Sequence, residues 1–270
     1  MSGDRLAPLI DIGINLGHDS YDADRDAVVA RAQAVGVEQF VITGASLAGS
    51  EKALALARAA SGIAFATAGC HPHHALDYAA EAARLAVLAS DPLVVAVGEC
   101  GLDYHRNFSS PAEQRSAFAQ QLEVAIQLRK PLFLHERDAH ADLFAMLREH
   151  HDLPRAVLHC YTGDGDALDR YLELGLWIGI TGWICDERRG LHLRDIVGRI
   201  PAERLMIETD GPYLLPRDLD PKPATRRNEP MYLAHVARAV AAARGESPER
   251  LAATTTANAR EFFALPTPAH

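Results

Sequence analysis

The chain has 270 residues, of which 48% are apolar and 23% charged, and its 27 basic and 36 acidic side chains give a formal net charge of −9. This composition is typical of a globular protein and excludes a largely disordered chain. The acidic balance argues against a protein that coats nucleic acid through bulk positive charge, but it is compatible with a few local phosphate contacts.

Short apolar runs alternate with segments of helical periodicity from the first strand onward. Most of these runs are apolar throughout, as parallel strands covered by helices are. The clearest helix start is at Ser110, because Pro111 suits the first helical position and Glu113 completes a capping box. In chain order, the predicted strands are Leu9–Ile14, Gln39–Thr43, Ile63–Ala68, Val94–Gly98, Leu132–His135, Ala156–His159, Leu176–Ile180 and Leu205–Glu208. The other predicted helices lie near 24–35, 50–60, 78–89, 138–149, 165–173, 191–199, 229–243 and 248–253.

Eight strands that alternate with helices predict an α/β fold, a single-domain TIM (β/α)8 barrel. A doubly wound open sheet is the alternative, but it usually has fewer strands. No linker, low-complexity tract or repeat interrupts the pattern, so residues 1–270 are expected to form one domain. The proline-rich stretch 212–223 is expected to be a long loop after the last strand.

The termini and cysteines favour a cytoplasmic protein. The segment before Asp11 lacks the long apolar core of a secretory signal, and no run of about 18 apolar residues predicts a membrane span. The four cysteines form no C-x-x-C pair and are too few for a disulfide scaffold. We therefore expect reduced thiols, no membrane partner and a monomer.

Polar side chains follow the carboxyl ends of several predicted strands. In a TIM barrel these ends converge on one face, so the side chains are expected to meet in one pocket. Imidazole and carboxylate groups together suit a hydrolytic divalent-metal site. Glu99 can bridge two ions, and His135 and His159 can complete a coordination sphere. Asp210 can bind metal or accept a proton from a nucleophilic water.

Each of these residues also has a structural interpretation. A single His at a strand end is commonly a hydrogen-bonding residue, and only its combination with Glu99 and Asp210 favours a functional site. His71 and His73 flank Pro72, a pattern that is also compatible with a rigid turn capped by an imidazole.

Basic side chains concentrate in the loops after the seventh and eighth predicted strands. Guanidinium groups suit phosphate, and both loops are expected on the catalytic face. The alternative is pairing with the carboxylates of the same loops, and the sequence leaves both interpretations open. The basic residues are Arg188, Arg189, Arg217, Lys222, Arg226 and Arg227.

Five segments together resemble the TatD-type metal-dependent deoxyribonucleases, which belong to the amidohydrolase-like TIM barrels. Their order and spacing are specific, and the likeness runs from Asp11 to Asn258. The wider family opens with Asp-x-His-x-His, whose imidazoles bind a first metal ion, whereas this sequence has Asn15 and no His in that place. The segments are Gly69–His73, Gly98–Asp103, His135–Ala139, His159–Gly163 and Glu208–Leu214.

The resemblance implies a metal-dependent 3′→5′ exonuclease that acts on single-stranded DNA and RNA. It implies Glu99, His135 and His159 as metal ligands, Asp210 as a catalytic carboxylate and further ligand, and His71 at the scissile phosphate. The expected substrate-binding residues are His73, Arg226 and Arg227. The implied cofactor is Mg²⁺, although imidazole ligands also suit Mn²⁺ or Zn²⁺.

Two other functions remain open at this point. One is hydrolysis of a different ester or amide on the same barrel, such as the ester of a D-aminoacyl-tRNA. The loop arginines favour phosphodiesters over amides, and Glu99 stands where a carbamylated lysine would be needed. The other is a non-enzymatic accessory role in Tat export, which no amphipathic basic helix supports.

Overall fold

Eight strands form one sheet whose order follows the chain from β1 to β8. The computed structural model describes residues 6, 8–60 and 62–268. The strands are β1 (Leu9–Ile14), β2 (Val37–Ile42), β3 (Ala64–Ala68), β4 (Val94–Asp103), β5 (Leu132–Arg137), β6 (Ala156–Leu158), β7 (Trp177–Ile180) and β8 (Leu205–Ile207). Parallel pairing joins β3 to β4, β4 to β5, β5 to β6 and β7 to β8, and β1 contacts β8. The predicted α/β TIM barrel is confirmed.

Helices connect the strands, as the alternating pattern predicts. They are α1 (Arg25–Ala34), α2 (Leu47–Ala59), α3 (Tyr78–Ala89), α4 (Pro111–Leu128), α5 (His140–Arg148), α6 (Gly165–Glu173), α7 (Leu191–Ile196), α8 (Leu233–Arg244) and α9 (Pro248–Phe263). Within the described part of the chain, no helix combines the length and apolar character needed to cross a lipid bilayer.

Helix α4 begins where its capping residues predict. The Ser110 hydroxyl accepts the Glu113 backbone N–H at 3.3 Å, and the Glu113 carboxylate accepts the Ser110 N–H at 2.7 Å. This reciprocal pair satisfies two backbone donors that the first turn leaves without partners. Phe118 and Leu122 lie on the buried face of the helix, so the cap and the apolar stripe indicate the same helix.

Two packed units make up the described chain. The first contains the described residues up to Val41, the segment Cys160–Asp164 and the residues from Ile178 onward. Its core forms where α8 and α9 pack against β1 and β8. The second contains Ile42–His159 and Gly165–Trp177, and its core includes α2 against β3 and α4 against β4. The expectation that residues 1–270 form one domain stays a prediction.

Candidate active site

The carboxyl end of β4 approaches β5 more closely than a side chain would allow. Gly98 and Gly101 have φ angles of 139° and 140°, and a Cβ at either position would lie 2.2 Å or less from a carbonyl oxygen of β5. The pairing register shifts between Gly98 and Cys100, as at a β-bulge. Only glycine permits this backbone, which places Glu99 in the buried interior of its unit.

Three imidazoles surround one oxygen of Glu99. Its Oε1 atom lies 2.8 Å from His159 Nε2, 3.0 Å from His135 Nδ1 and 3.4 Å from His71 Nε2. Glu99 is only 7% exposed, and burial by itself would raise its pKa. The surrounding imidazoles outweigh burial and hold the pKa of Glu99 well below its ordinary value, so the carboxylate is ionised.

A second carboxylate, Asp103, completes the cluster. Its Oδ2 atom lies 2.9 Å from His73 Nε2 and 3.3 Å from His135 Nε2, while its Oδ1 atom accepts backbone N–H groups of the following turn. Burial lowers the pKa of His135, but hydrogen bonds with Asp103 and Glu99 outweigh it and raise the pKa overall. Asp103 therefore orients both rings, in the manner of a carboxylate behind metal-ligating histidines.

His71 is oriented as a hydrogen-bond donor. Its Nδ1 atom accepts the backbone N–H of His73 at 3.1 Å, where His71 caps the short 3-10 helix Pro72–His74. Burial lowers the pKa of His71 well below its ordinary value, so the ring is neutral near pH 7. A neutral ring that accepts at Nδ1 carries its proton at Nε2, the atom that points to Glu99.

The donor set fits a divalent metal ion. Ligand atoms of His71, Glu99 and His135 lie within 4.8 Å of one another, and His159 contacts the same Glu99 oxygen. Imidazole nitrogen and carboxylate oxygen are ligands that suit Mn²⁺, Fe²⁺ or Zn²⁺. The structure therefore brings together the predicted residues Glu99, His135, His159, His71 and His73 in one cluster.

Asp210, in the other unit, follows β8. It has a left-handed backbone with a φ of 53°, and its N–H donates to the Gly13 carbonyl at 2.8 Å. The Asn15 amide donates to Asp210 Oδ1 at 3.0 Å. Asn15, which stands where the wider family has a histidine, therefore orients the predicted catalytic carboxylate.

Asp11, in β1, is hydrogen-bonded to the segment that follows β8. Its carboxyl accepts the Thr209 N–H at 3.0 Å and the Thr209 hydroxyl at 2.5 Å. Burial raises the pKa of Asp11 to about 8, and the Thr209 hydrogen bonds oppose that rise. Asp11 thus ties β1 to the residue that precedes Asp210.

Arg227 lies in a network of ion pairs, in contrast to the predicted phosphate contact. Its guanidinium donates to both oxygens of Asp24 at 2.8 Å, to Glu229 at 2.7 Å and to the Ser20 carbonyl at 2.6 Å. It also lies 5.1 Å from the ring centroid of Tyr21. The pairing alternative is therefore favoured for Arg227, because its donors are already engaged.

Arg226 differs from its neighbour. It is exposed, lines a cavity, and has no carboxylate within 4.0 Å among residues 6, 8–60 and 62–268. The predicted contact with substrate phosphate remains compatible with this position.

The sequence profile described as TatD related DNase matches residues 10–264. The chain belongs to this family. It is 54% identical over 257 residues to a protein of Cronobacter sakazakii named 3′-5′ ssDNA/RNA exonuclease TatD, an alignment that covers 94% of this chain and 97% of that one. A protein of the same name from Salmonella typhimurium is 52% identical over 258 residues, with coverage of 94% and 98%.

Solved structures of TatD proteins share the fold. A TatD family hydrolase from Entamoeba histolytica superposes with a TM-score of 0.86 at 26% identity, covering 96% of this chain and 98% of that one. A TatD homologue from Escherichia coli gives the same TM-score at 27% identity and the same coverage.

Replacing Arg227 by Gln is expected to destabilise the fold. The change removes the contacts to Asp24, Glu229 and Ser20 and leaves the two carboxylates sharing Arg31. We expect the melting temperature to fall by a few degrees, while the salt dependence of nucleic-acid binding stays that of the wild type. Thermal unfolding and binding titrations on one preparation test this. A normal melting temperature with a flatter salt dependence would instead restore Arg227 as a phosphate contact.

Proposed function

We propose that this protein is a metal-dependent 3′→5′ exonuclease that hydrolyses phosphodiester bonds of single-stranded DNA and RNA. One observation carries the proposal: three imidazoles converge on one oxygen of a buried carboxylate in a member of the TatD-related DNase family. The names of the 54% and 52% identical proteins support the direction and the substrate.

Glu99, His135 and His159 are the proposed metal ligands, with Asp210 as a further one. A bound divalent cation would polarise a phosphoryl oxygen and lower the pKa of water. Mg²⁺ is the proposed ion, and Mn²⁺ or Zn²⁺ also suits the imidazole nitrogens. Asp103 holds the ring of the proposed ligand His135 and also the ring of His73.

The protein's own groups supply the remaining chemistry. In hydrolysis, a water oxygen forms a bond to phosphorus, the bond to the leaving oxygen breaks, and the water loses a proton. We propose Asp210 as the acceptor of that proton. The Nε2–H of His71 donates to an oxygen of the reacting phosphate, where negative charge develops. His73 and Arg226 are the proposed substrate contacts.

Replacing His71 by Ala is expected to lower turnover by about 10²- to 10³-fold, as loss of a transition-state donor does. His71→Gln, whose amide places a donor near the position of Nε2, is expected to recover part of this loss. Because Nδ1 of His71 accepts the His73 N–H and Nε2 carries the proton, His71 is not among the proposed metal ligands, and metal affinity should change little in either variant. Single-turnover rates and metal titrations measure the two effects separately. A large loss of metal affinity with normal turnover at saturating metal would make His71 a ligand instead.

The proposed reaction is tested by incubating the protein with end-labelled single strands, with and without EDTA. Metal-dependent release of mononucleotides is the expected result. A parallel assay on the ester of a D-aminoacyl-tRNA covers the rival hydrolase function. Activity on that ester with intact single strands would replace the exonuclease proposal.

We also propose a monomeric, cytoplasmic protein, to be checked by light scattering and cell fractionation.

A further inference from the structure

A cavity of about 350 Å³ lies among the residues that follow β7 and those that follow β8. Both segments belong to the same packed unit. Its charged lining consists of one carboxylate, Asp186, and the cationic side chains of Arg188, Arg189, Arg217, Lys222 and Arg226. A chain with a net charge of −9 thus gathers five positive groups around one cavity.

The carboxylates near the cavity neutralise only part of this charge. Asp186 is 3% exposed and contacts Arg188 and Arg189 at 3.2 and 3.1 Å, while Arg217 pairs with Glu187 at 2.9 Å. Lys222 and Arg226 have no carboxylate within 4.0 Å in the part of the chain that the structure describes. Three positive charges remain in excess, and an anionic ligand would relieve their mutual repulsion.

The lining is also partly apolar and aromatic. The guanidinium of Arg189 lies 4.3 Å from the ring centroid of Trp183, and Trp183 Nε1 donates to the Arg189 carbonyl at 3.3 Å. Leu214 and Pro216 line the same cavity. Bases of single-stranded nucleic acid stack on aromatic rings and guanidinium planes, whereas a small inorganic anion would leave this surface unused.

We propose that this cavity binds one internal nucleotide of the single-stranded substrate. The phosphodiester lies against Lys222 and Arg226, and the base lies against the Trp183–Arg189 pair. The choice of single-stranded nucleic acid as the ligand rests on the proposed function. The cavity is an additional binding site that takes no part in the hydrolytic step. Such a site lets an acidic protein hold a polyanion through a local contact.

The double variant K222Q/R226Q tests the phosphate contact. Binding of a fluorescein-labelled oligodeoxynucleotide is measured by anisotropy in EDTA over a range of salt concentrations. Each lost phosphate contact on a single strand lowers the slope of log K against log salt by about 0.7, so the expected decrease is about 1.4. The matched control R58Q/R84Q removes the same charge from exposed positions of α2 and α3. It should keep the wild-type slope.

The variant R189K tests the base contact, because lysine keeps the charge but lacks the planar group that lies over Trp183. Affinity for the normal strand is expected to fall about fivefold or more. Affinity for an abasic strand of equal length should not change. An equal loss for both strands, or no loss for either, would contradict the base contact.

Strand binding by the cavity and hydrolysis of the strand are measured under different conditions. Binding is measured without divalent metal, whereas hydrolysis of the same strand is measured with it. Equal slopes in the two double variants, or no binding by the wild type, would overturn the cavity as a nucleotide site. Absence of metal-dependent hydrolysis would overturn the proposed function, whatever the slopes.

Discussion

Glu99→Gln is expected to lower the rate of nucleotide release by about 100-fold or more while the protein stays folded. Loss of a group behind a metal ligand typically costs 10- to 100-fold, so loss of the ligand that three imidazoles share should cost at least the upper end of that range. His135→Ala and His159→Ala should act in the same direction. Turnover, metal affinity by titration, and circular dichroism measured on the same preparations test this.

The control for Glu99 is Glu123→Gln, which removes one carboxylate from the exposed face of α4. It should leave turnover and metal affinity unchanged. A Glu99→Gln protein that is folded and fully active would remove the histidine cluster from the mechanism. Full activity of the wild type without any divalent metal would do the same.

Asp210→Asn is expected to lower turnover by about 10²-fold or more, with substrate affinity and melting temperature close to the wild type. In this structure, the substitution should keep the local backbone and hydrogen bonding and change only the carboxylate. Asparagine also adopts a left-handed backbone, and its amide oxygen can still accept the hydrogen bond from Asn15. What the variant loses is the basic carboxylate that would take a proton from water.

The alternative for Asp210 is a purely structural role in the turn between Thr209 and Tyr213. In that case the variant should lose stability first and turnover only as a consequence. Single-turnover rates and thermal unfolding on one preparation separate the two roles. Near-normal turnover in a folded Asp210→Asn protein would exclude Asp210 as the proton acceptor.

The strand positions could be predicted because buried parallel strands are apolar throughout. All eight predicted strands are present, and β1 has the predicted bounds of Leu9–Ile14. The apolar pattern predicts that β4 ends at Gly98, but the strand continues to Asp103. Its last residues are polar and glycine-rich, and they stay extended because they pair with β5. Local composition does not report such a tertiary contact.

The end of helix α9 is a second boundary that local sequence does not indicate. The sequence pattern predicts that it ends at residue 253, and the β-branched run that follows has low helix propensity. The helix continues to Phe263, and the Thr255 hydroxyl donates to the Leu251 carbonyl one turn earlier. Burial of Phe262 and Phe263 favours the longer helix over the local preference.

The histidine cluster could be predicted from residue types at strand ends, but its supporting residues could not. The sequence assigns no role to Asp103, although Asp103 and Glu99 are four residues apart on one strand, a spacing that places two side chains on the same face. In the sequence, Asn15 is only a departure from the histidine of the wider family, yet its amide orients Asp210. Arg226 and Arg227 are adjacent and have the same charge, so only the positions of Asp24 and Glu229 distinguish them.

The most direct test of the account is digestion of single strands blocked at one end, with and without divalent metal. With Mg²⁺ or Mn²⁺, the account predicts stepwise release of mononucleotides from a 5′-blocked strand, protection of a 3′-blocked strand, and no release in EDTA. Release from the 3′-blocked strand, or unchanged release in EDTA, would contradict it.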